Sequence, residues 1–178
     1  LPRNYWRLVE KARVTTSSAD PTILAASAEL PPDGLDIPSV RYCRTGAAIL
    51  PPELARRFED KYGLHVHEAL GKTEMAGISS IRPPGVSGPA GCVGFPIPYS
   101  RTRVVALDDS GGPTDRDLQQ GEPGMILFKA PNVFPGFLND KDTARAFTDD
   151  GWLATGDGGG VAAGGGGERS GRGLDGSR

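Results

Sequence analysis

A chain of 178 residues with 37% hydrophobic residues can build one cored domain, and a net charge of −2 gives it no pull toward nucleic acid or an anionic membrane. No apolar run reaches transmembrane length, so no membrane span is expected, and no signal peptide is read at the start. Cys43 and Cys92 show no metal spacing. They are read as free thiols in a reducing cytoplasm, with a disulfide as the alternative.

The chain opens at Leu1 in an amphipathic helix pattern, NYWRLVEK over 4–11, which reads as a piece of something longer. Tyr5, Leu8 and Val9 fall near one side of that helix, with Trp6 adjoining. A short strand is expected over 14–16. Asp20 then caps a helix whose first position is Pro21. Residues 39–44, SVRYCR, alternate as a strand and run into the small-residue turn Thr45-Gly46-Ala47-Ala48. Pro51-Pro52 opens a helix in which Leu54, Phe58 and Tyr62 recur every four residues, Glu53 and Arg57 are spaced for an ion pair, and Gly63 ends the element.

The next stretch, HVHEALGKTEMAG over 65–77, organises the rest. It reads as a buried strand to Leu70, a tight turn at Gly71, then a hydroxyl and a carboxylate side by side in Thr73 and Glu74. The hydroxyl can donate to a phosphate oxygen, and the carboxylate is a hard ligand for Mg²⁺. Strand–helix–strand connections of this size are right-handed parallel crossovers, which bring both strand ends to one edge. Ligands of open α/β sheets gather beyond such ends. His65 and His67 share a strand face but lack a third ligand, so ordinary half-buried histidines are expected.

Beyond residue 80 the pattern changes. Residues 81–98 read as loop with one short strand near Val93. Strands follow at 102–107 and 125–129, a polar turn-rich connection lies between them, and a short helix spans 141–147. GWLATGD, 151–157, closes the ordered part. From 158 to 178, ten of 21 residues are glycine. So little apolar surface cannot offset backbone entropy, and the segment is expected to be disordered. The reading is therefore α/β in three parts: a partial parallel sheet with helices over 1–99, a small β-rich, barrel-like subdomain over 100–157, and a glycine-rich tail over 158–178.

Three of these stretches resemble motifs of the AMP-forming acyl-CoA synthetases, a branch of the adenylate-forming superfamily. TGAAILPPEL (45–54) is similar to that family's SGGAPL segment, EALGKTE (68–74) to its YGxTE motif, and GWLATGD (151–157) to its GWxxTGD motif. GCVGFPIP and GEPGMILFKAPNVFPGFLND agree with the surroundings, and the similarity covers most of 1–157. The resemblance implies an enzyme that couples a carboxylic acid, a fatty acid by family analogy, to ATP. The acyl-adenylate then passes its acyl group to coenzyme A. It implies that Gly46, Ala47, Ala48, Ala69, Leu70 and Gly71 line the nucleotide site, that Thr73 contacts phosphate, and that Glu74 holds Mg²⁺. Asp157 would accept hydrogen bonds from the ribose hydroxyls, and Met75, Ala76 and Gly77 would border the acyl group.

The departures matter too. The family's aromatic before the glycine is Leu70 here, which removes about 0.5–1.5 kcal/mol of ring stacking. Lys72 fills a position with no fixed residue in the pattern. Arg172, in Gly171-Arg172 then Asp175, stands where the family carries a ribose-contacting arginine, but the apolar strand before it is replaced by glycines. The phosphate loop and the lysine-bearing C-terminal domain of the family have no counterpart in these residues, so the chain is expected to be inactive by itself. The competing readings are a non-catalytic nucleotide-binding remnant, a peptide-synthetase-like adenylation domain, and an unrelated α/β domain with accidental motifs.

Overall fold

The computed structural model describes residues 2–29, 37–86, 91–162 and 173–177. Two compact units divide the chain, Leu1–Ala69 and Leu70–Arg178.

The first unit holds α1 (Pro2–Lys11), β1 (Thr16–Ser18), α2 (Pro21–Glu29), β2 (Tyr42–Thr45), α3 (Pro52–Tyr62) and the start of β3 (Val66–Lys72). Its strands are parallel, with Ser17 opposite Cys43 and Thr45 opposite Glu68. One core joins helices to sheet: Trp6, Val9, Leu24 and Phe58 from the helices meet Cys43 and Val66 from the strands. Trp6 is at its centre and not beside it. The ring is fully buried against Phe58 and Tyr62, with centroids 5.6 and 5.2 Å away. Its Nε1 donates to Ser27 Oγ at 2.6 Å, so its one polar atom is satisfied. Leu8, expected inside, is exposed, because the buried pair is Trp6 and Val9 at a spacing of three.

The caps follow the sequence. Asp20 accepts from Ile23 N at 2.8 Å, and Gly63 takes a left-handed φ of 64° while its N–H returns to Glu59 O at 2.8 Å. The ion pair differs from expectation. Arg56 takes Glu53 at 2.5 Å, and Arg57 reaches across to Glu29 on α2. A long side chain on α3 finds the neighbouring helix within reach, which a single-helix argument cannot see.

The second unit continues β3 into a one-turn 3-10 helix (Thr73–Met75), then β4 (Gly77–Ile81), β5 (Cys92–Pro96), β6 (Arg101–Leu107), β7 (Pro113–Asp117), β8 (Gly124–Lys129), α4 (Asp140–Ala146), β9 (Leu153–Ala162) and β10 (Gly173–Ser177). The order β4-β5-β10-β9-β8-β6-β7 is antiparallel at the pairs β4–β5, β5–β10, β10–β9, β9–β8, β8–β6 and β6–β7. Alternation sends Val104 and Ile126 to one apolar cluster with Val93 and Leu118, and Val105 and Leu127 to another with Trp152. The protein is thus α/β, with a helix-backed parallel sheet in the first unit and a β-rich second unit.

Four strands go unread in the sequence: β4, β7, β9 and β10. β7 (PTDRD) is largely exposed and polar, and β4 (GISSI) starts on glycine, so neither alternates in hydropathy. The expected disorder from Gly158 is corrected at both ends. β9 continues through Gly158–Gly160 to Ala162, where β8 flanks it at Gly158 and Gly159, and β10 pairs along it from Gly158 to Ala162. Backbone pairing on the ladder needs no side chain, which is how a glycine run holds a strand. Arg172 lies outside the described residues.

Candidate functional site

In the first unit the parallel register puts Thr45 beside Glu68, and the next residues, Gly46 and Ala69, meet. A Cβ on Gly46 would stand 3.1 Å from the Ala69 carbonyl oxygen, so only a glycine lets these backbones approach without adjustment. Ala47 turns left-handed at φ 68°. Ala47 and Ala48 are exposed, so the end of β2 presents a surface of small side chains. The Thr45 hydroxyl just before it is buried and has no hydrogen-bond partner among the described residues. Nearby, His67 stacks on Tyr42 at 4.6 Å between centroids, and His65 Nδ1 lies 3.5 Å from Glu59.

In the second unit Gly71 is not a turn. It stays in extended β3, where a Cβ would stand 2.0 Å from the Gly77 carbonyl oxygen. Glycine is required there by a passing backbone, and the turn begins two residues later. The 3-10 turn of Thr73, Glu74 and Met75 closes with Ala76 N donating to Thr73 O at 3.0 Å, and Ala76 takes a φ of 49°. The loop after β8 holds the turn from outside. Phe134 N donates to Glu74 O at 2.8 Å, and Asn132 Nδ2 donates to Met75 O. The Met75 side chain is fully buried against Phe128 and Leu153. Leu70 packs on the Val93–Ile126 cluster, while its carbonyl accepts from Ser79 Oγ at 3.0 Å. Thr73, Ala76 and Gly77 are exposed.

With its backbone fixed at both ends, the Glu74 carboxylate stands half-buried. It makes no hydrogen bond or ion pair among the described residues. No cluster of three metal-ligating side chains occurs among them either. One free carboxylate fits Mg²⁺, which binds through one or two carboxylates and takes its remaining ligands from substrate phosphates and water.

Asp157 arrives from β9 on a bulge. Leu127 of β8 faces Ala154 and Met125 faces Gly158, so Ile126 alone opposes Thr155, Gly156 and Asp157. Gly156 supplies the positive φ of 71° that the bulge needs. Thr155 Oγ1 donates to Ile126 O at 2.7 Å and accepts from Asp157 N at 3.1 Å, which ties both edges of the bulge. Lys72, the last residue of β3, donates to the Thr155 carbonyl oxygen and lies 3.9 Å from Asp157 Oδ2.

The structure therefore brings Gly46 near Ala69 in one unit, and the end of β3 to Asp157 in the other. The hydrogen bonds by which Lys72, Thr155 and Asn132 hold these backbones were not read from the sequence. Thr155 carried a signal inside GWLATGD, whereas Lys72 and Asn132 act on backbone carbonyls distant in sequence and carried none.

A family model for the AMP-binding enzyme matches residues 1–138. Among curated relatives, the marinolic acid–CoA ligase of Pseudoalteromonas sp. is 33% identical over 157 residues, covering 88% of this chain and 24% of the relative. The sulfoacetate–CoA ligase of Cupriavidus necator is 36% identical over 156 residues, covering 86% and 29%. The crystal structure of ATP-bound MatB from Rhodopseudomonas palustris superposes with a TM-score of 0.80 at 28% identity, covering 98% of this chain and 32% of that one. The chain thus spans about a quarter to a third of the length of these proteins. By the extent of the family match and the identity of these ligases, the chain belongs to the AMP-binding enzymes, and within them to the AMP-forming acyl-CoA synthetase type.

Proposed function

We propose that the protein built on these elements activates a carboxylic acid with ATP and passes the acyl group to coenzyme A. A carboxylate oxygen of the acid bonds to the α-phosphorus as the α–β bridge breaks, giving acyl-adenylate and pyrophosphate. The coenzyme A thiol then adds to the acyl carbon and AMP leaves. The first step brings anions together, so positioned donors and a divalent cation are the largest source of stabilisation.

In the second unit Thr73 would donate to phosphate, and Glu74 would hold a Mg²⁺ ion, which would supply positive charge. Asp157 accepts from the ribose hydroxyls, and the backbone of Gly71 continues the wall that Leu70 backs. Ala76 and Gly77, set by buried Met75, border the acyl group. In the first unit Gly46, Ala47, Ala48 and Ala69 admit a flat ring because their own side chains are no larger than a methyl group. On this reading residues 1–99 belong to the α/β part of the AMP-binding domain and 100–157 to its β-rich subdomain. Relatives whose acids differ as widely as marinolic acid and sulfoacetate keep the substrate at the level of carboxylic acid.

The observation that carries the reading is the carboxylate of Glu74, unpaired among the described residues, on a turn whose carbonyls are anchored. It is tested by titrating ATP into the chain with and without Mg²⁺. Mg²⁺ is expected to tighten ATP binding roughly tenfold, and E74Q to remove most of that gain. An E74Q chain with an undiminished Mg²⁺ effect would rule Glu74 out as the metal ligand.

A further inference from the structure

Lys72 is the one ammonium group at the end of β3, at a position where the family motif prescribes no residue. Next to a predicted phosphate-contacting threonine, a lysine invites assignment to the phosphates. Its geometry points elsewhere. Its Nζ donates to the Thr155 carbonyl oxygen and lies 3.9 Å from Asp157 Oδ2, with the two side chains only 32% and 17% exposed.

Among the described residues, the bulge that carries Asp157 is otherwise held from one side only. Thr155 Oγ1 bonds Ile126 O and Asp157 N, both of which tie it to β8 or to itself. Gly156 is exposed, at positive φ, with open space where a side chain would be. A three-residue excursion opposed by a single residue has freedom to swing, and Lys72 is the tether on its other side. The ammonium fixes the backbone two residues before Asp157 and at the same time attracts its carboxylate. A partly buried pair of this kind is less screened than a surface one.

We infer that Lys72 is a positioning residue for the ribose-binding carboxylate: it clamps the Thr155–Asp157 bulge to the end of β3 and aims Asp157 at the two ribose hydroxyls. The inference rests on the proposed role of Asp157. It also accounts for a lysine at an otherwise variable position of the motif, since the clamp needs both a long stem and a charge.

The test compares AMP with 2′,3′-dideoxy-AMP, which lacks both ribose hydroxyls, by ligand-observed NMR or calorimetry on the chain. The native chain is expected to prefer AMP by about tenfold, as two hydrogen bonds to a carboxylate would give. D157N should lose that preference, and K72M should reduce it to about twofold or less while binding of dideoxy-AMP stays unchanged. A purely structural lysine would weaken both ligands together. If D157N loses the preference and K72M keeps it, Lys72 is not the positioning residue although the ribose reading stands. If D157N keeps it, or the native chain shows no preference, the ribose reading itself falls and takes this inference with it. If K72M weakens ATP relative to AMP with the ribose preference intact, Lys72 is a phosphate ligand and the clamp is overturned. Should K72M fail to give a cooperative melt, K72Q carries the same comparison, with the same loss expected.

Discussion

At Ala47 a β-carbon sits on a left-handed backbone, φ 68°, in a segment whose family pattern places glycine there. An L-residue pays about 1–2 kcal/mol for that conformation, against about 0.5–1 kcal/mol of extra chain entropy that glycine loses on folding. A47G is therefore expected to stabilise by roughly 0.5–1 kcal/mol, seen as a rise of about 2 °C in melting temperature. The control is its neighbour. Ala48 is not left-handed, so A48G should lower stability by a similar amount, and equal effects at both positions would refute the strain argument.

Cys43 supplies a second residue-scale test. It is fully buried in the first unit's core, and burial pushes its thiol from 9.0 up to about 11, opposed in part by a hydrogen bond with Ser17. The neutral thiol is the form the fold keeps. Stability from this group is whole below about pH 9 and is lost as pH climbs through about 11, by roughly 2–3 kcal/mol in all. Urea melts at pH 8, 9.5 and 11 should show a shallower alkaline fall in C43A than in the native chain. Parallel slopes would place the alkaline loss elsewhere. The presence of cysteine was plain in the sequence, but its inertness came only with the core around it.

At the scale of elements, the lesson of β3 is that a glycine can be misread for the right motif. Gly71 reads as a turn because glycines usually are turns. In the fold it is extended, and it is required because the Gly77 carbonyl oxygen passes 2.0 Å from where a Cβ would be. G71A must force those two backbones apart and is expected to cost at least about 3 kcal/mol, with loss of cooperative unfolding as the extreme. A melt of G71A within a degree of the native chain would mean the approach is not that close. Local patterns served well where the determinant is local. The Asp20 cap, the Leu54–Phe58–Tyr62 face and the Gly63 stop all depend on residues spaced about one turn apart. They failed where the partner is remote: Trp6 at the core's centre, Arg57 on Glu29, and the edge strand β7, whose polar residues follow from its exposure.

For the whole molecule, relatives acting as complete ligases are three to four times longer, by the 24% and 29% of their length that this chain matches. The 178-residue chain alone is expected to give no ATP–pyrophosphate exchange above background, while still showing the AMP preference described above. Exchange that depends on Glu74 would show that these elements suffice for adenylation. Among the described residues no helix is long and apolar enough to cross a membrane. Exposed Leu138 and Phe137 instead leave an apolar spot on the loop before α4.

Composition and periodicity were enough to determine the class of fold, and the resemblance of three spaced motifs pointed to the family and to the residues from which a nucleotide site would be made. Both kinds of feature are written in consecutive residues: short-range sterics and capping set the elements, and the motifs are short local runs. Tertiary structure alone decided that Gly71 is a passing point for another backbone, that glycines after Asp157 continue a strand, and that a variable lysine grips the Thr155–Asp157 bulge. Each of these depends on a backbone group brought close from elsewhere in the chain, and no run of side chains encodes where another segment's carbonyl will be.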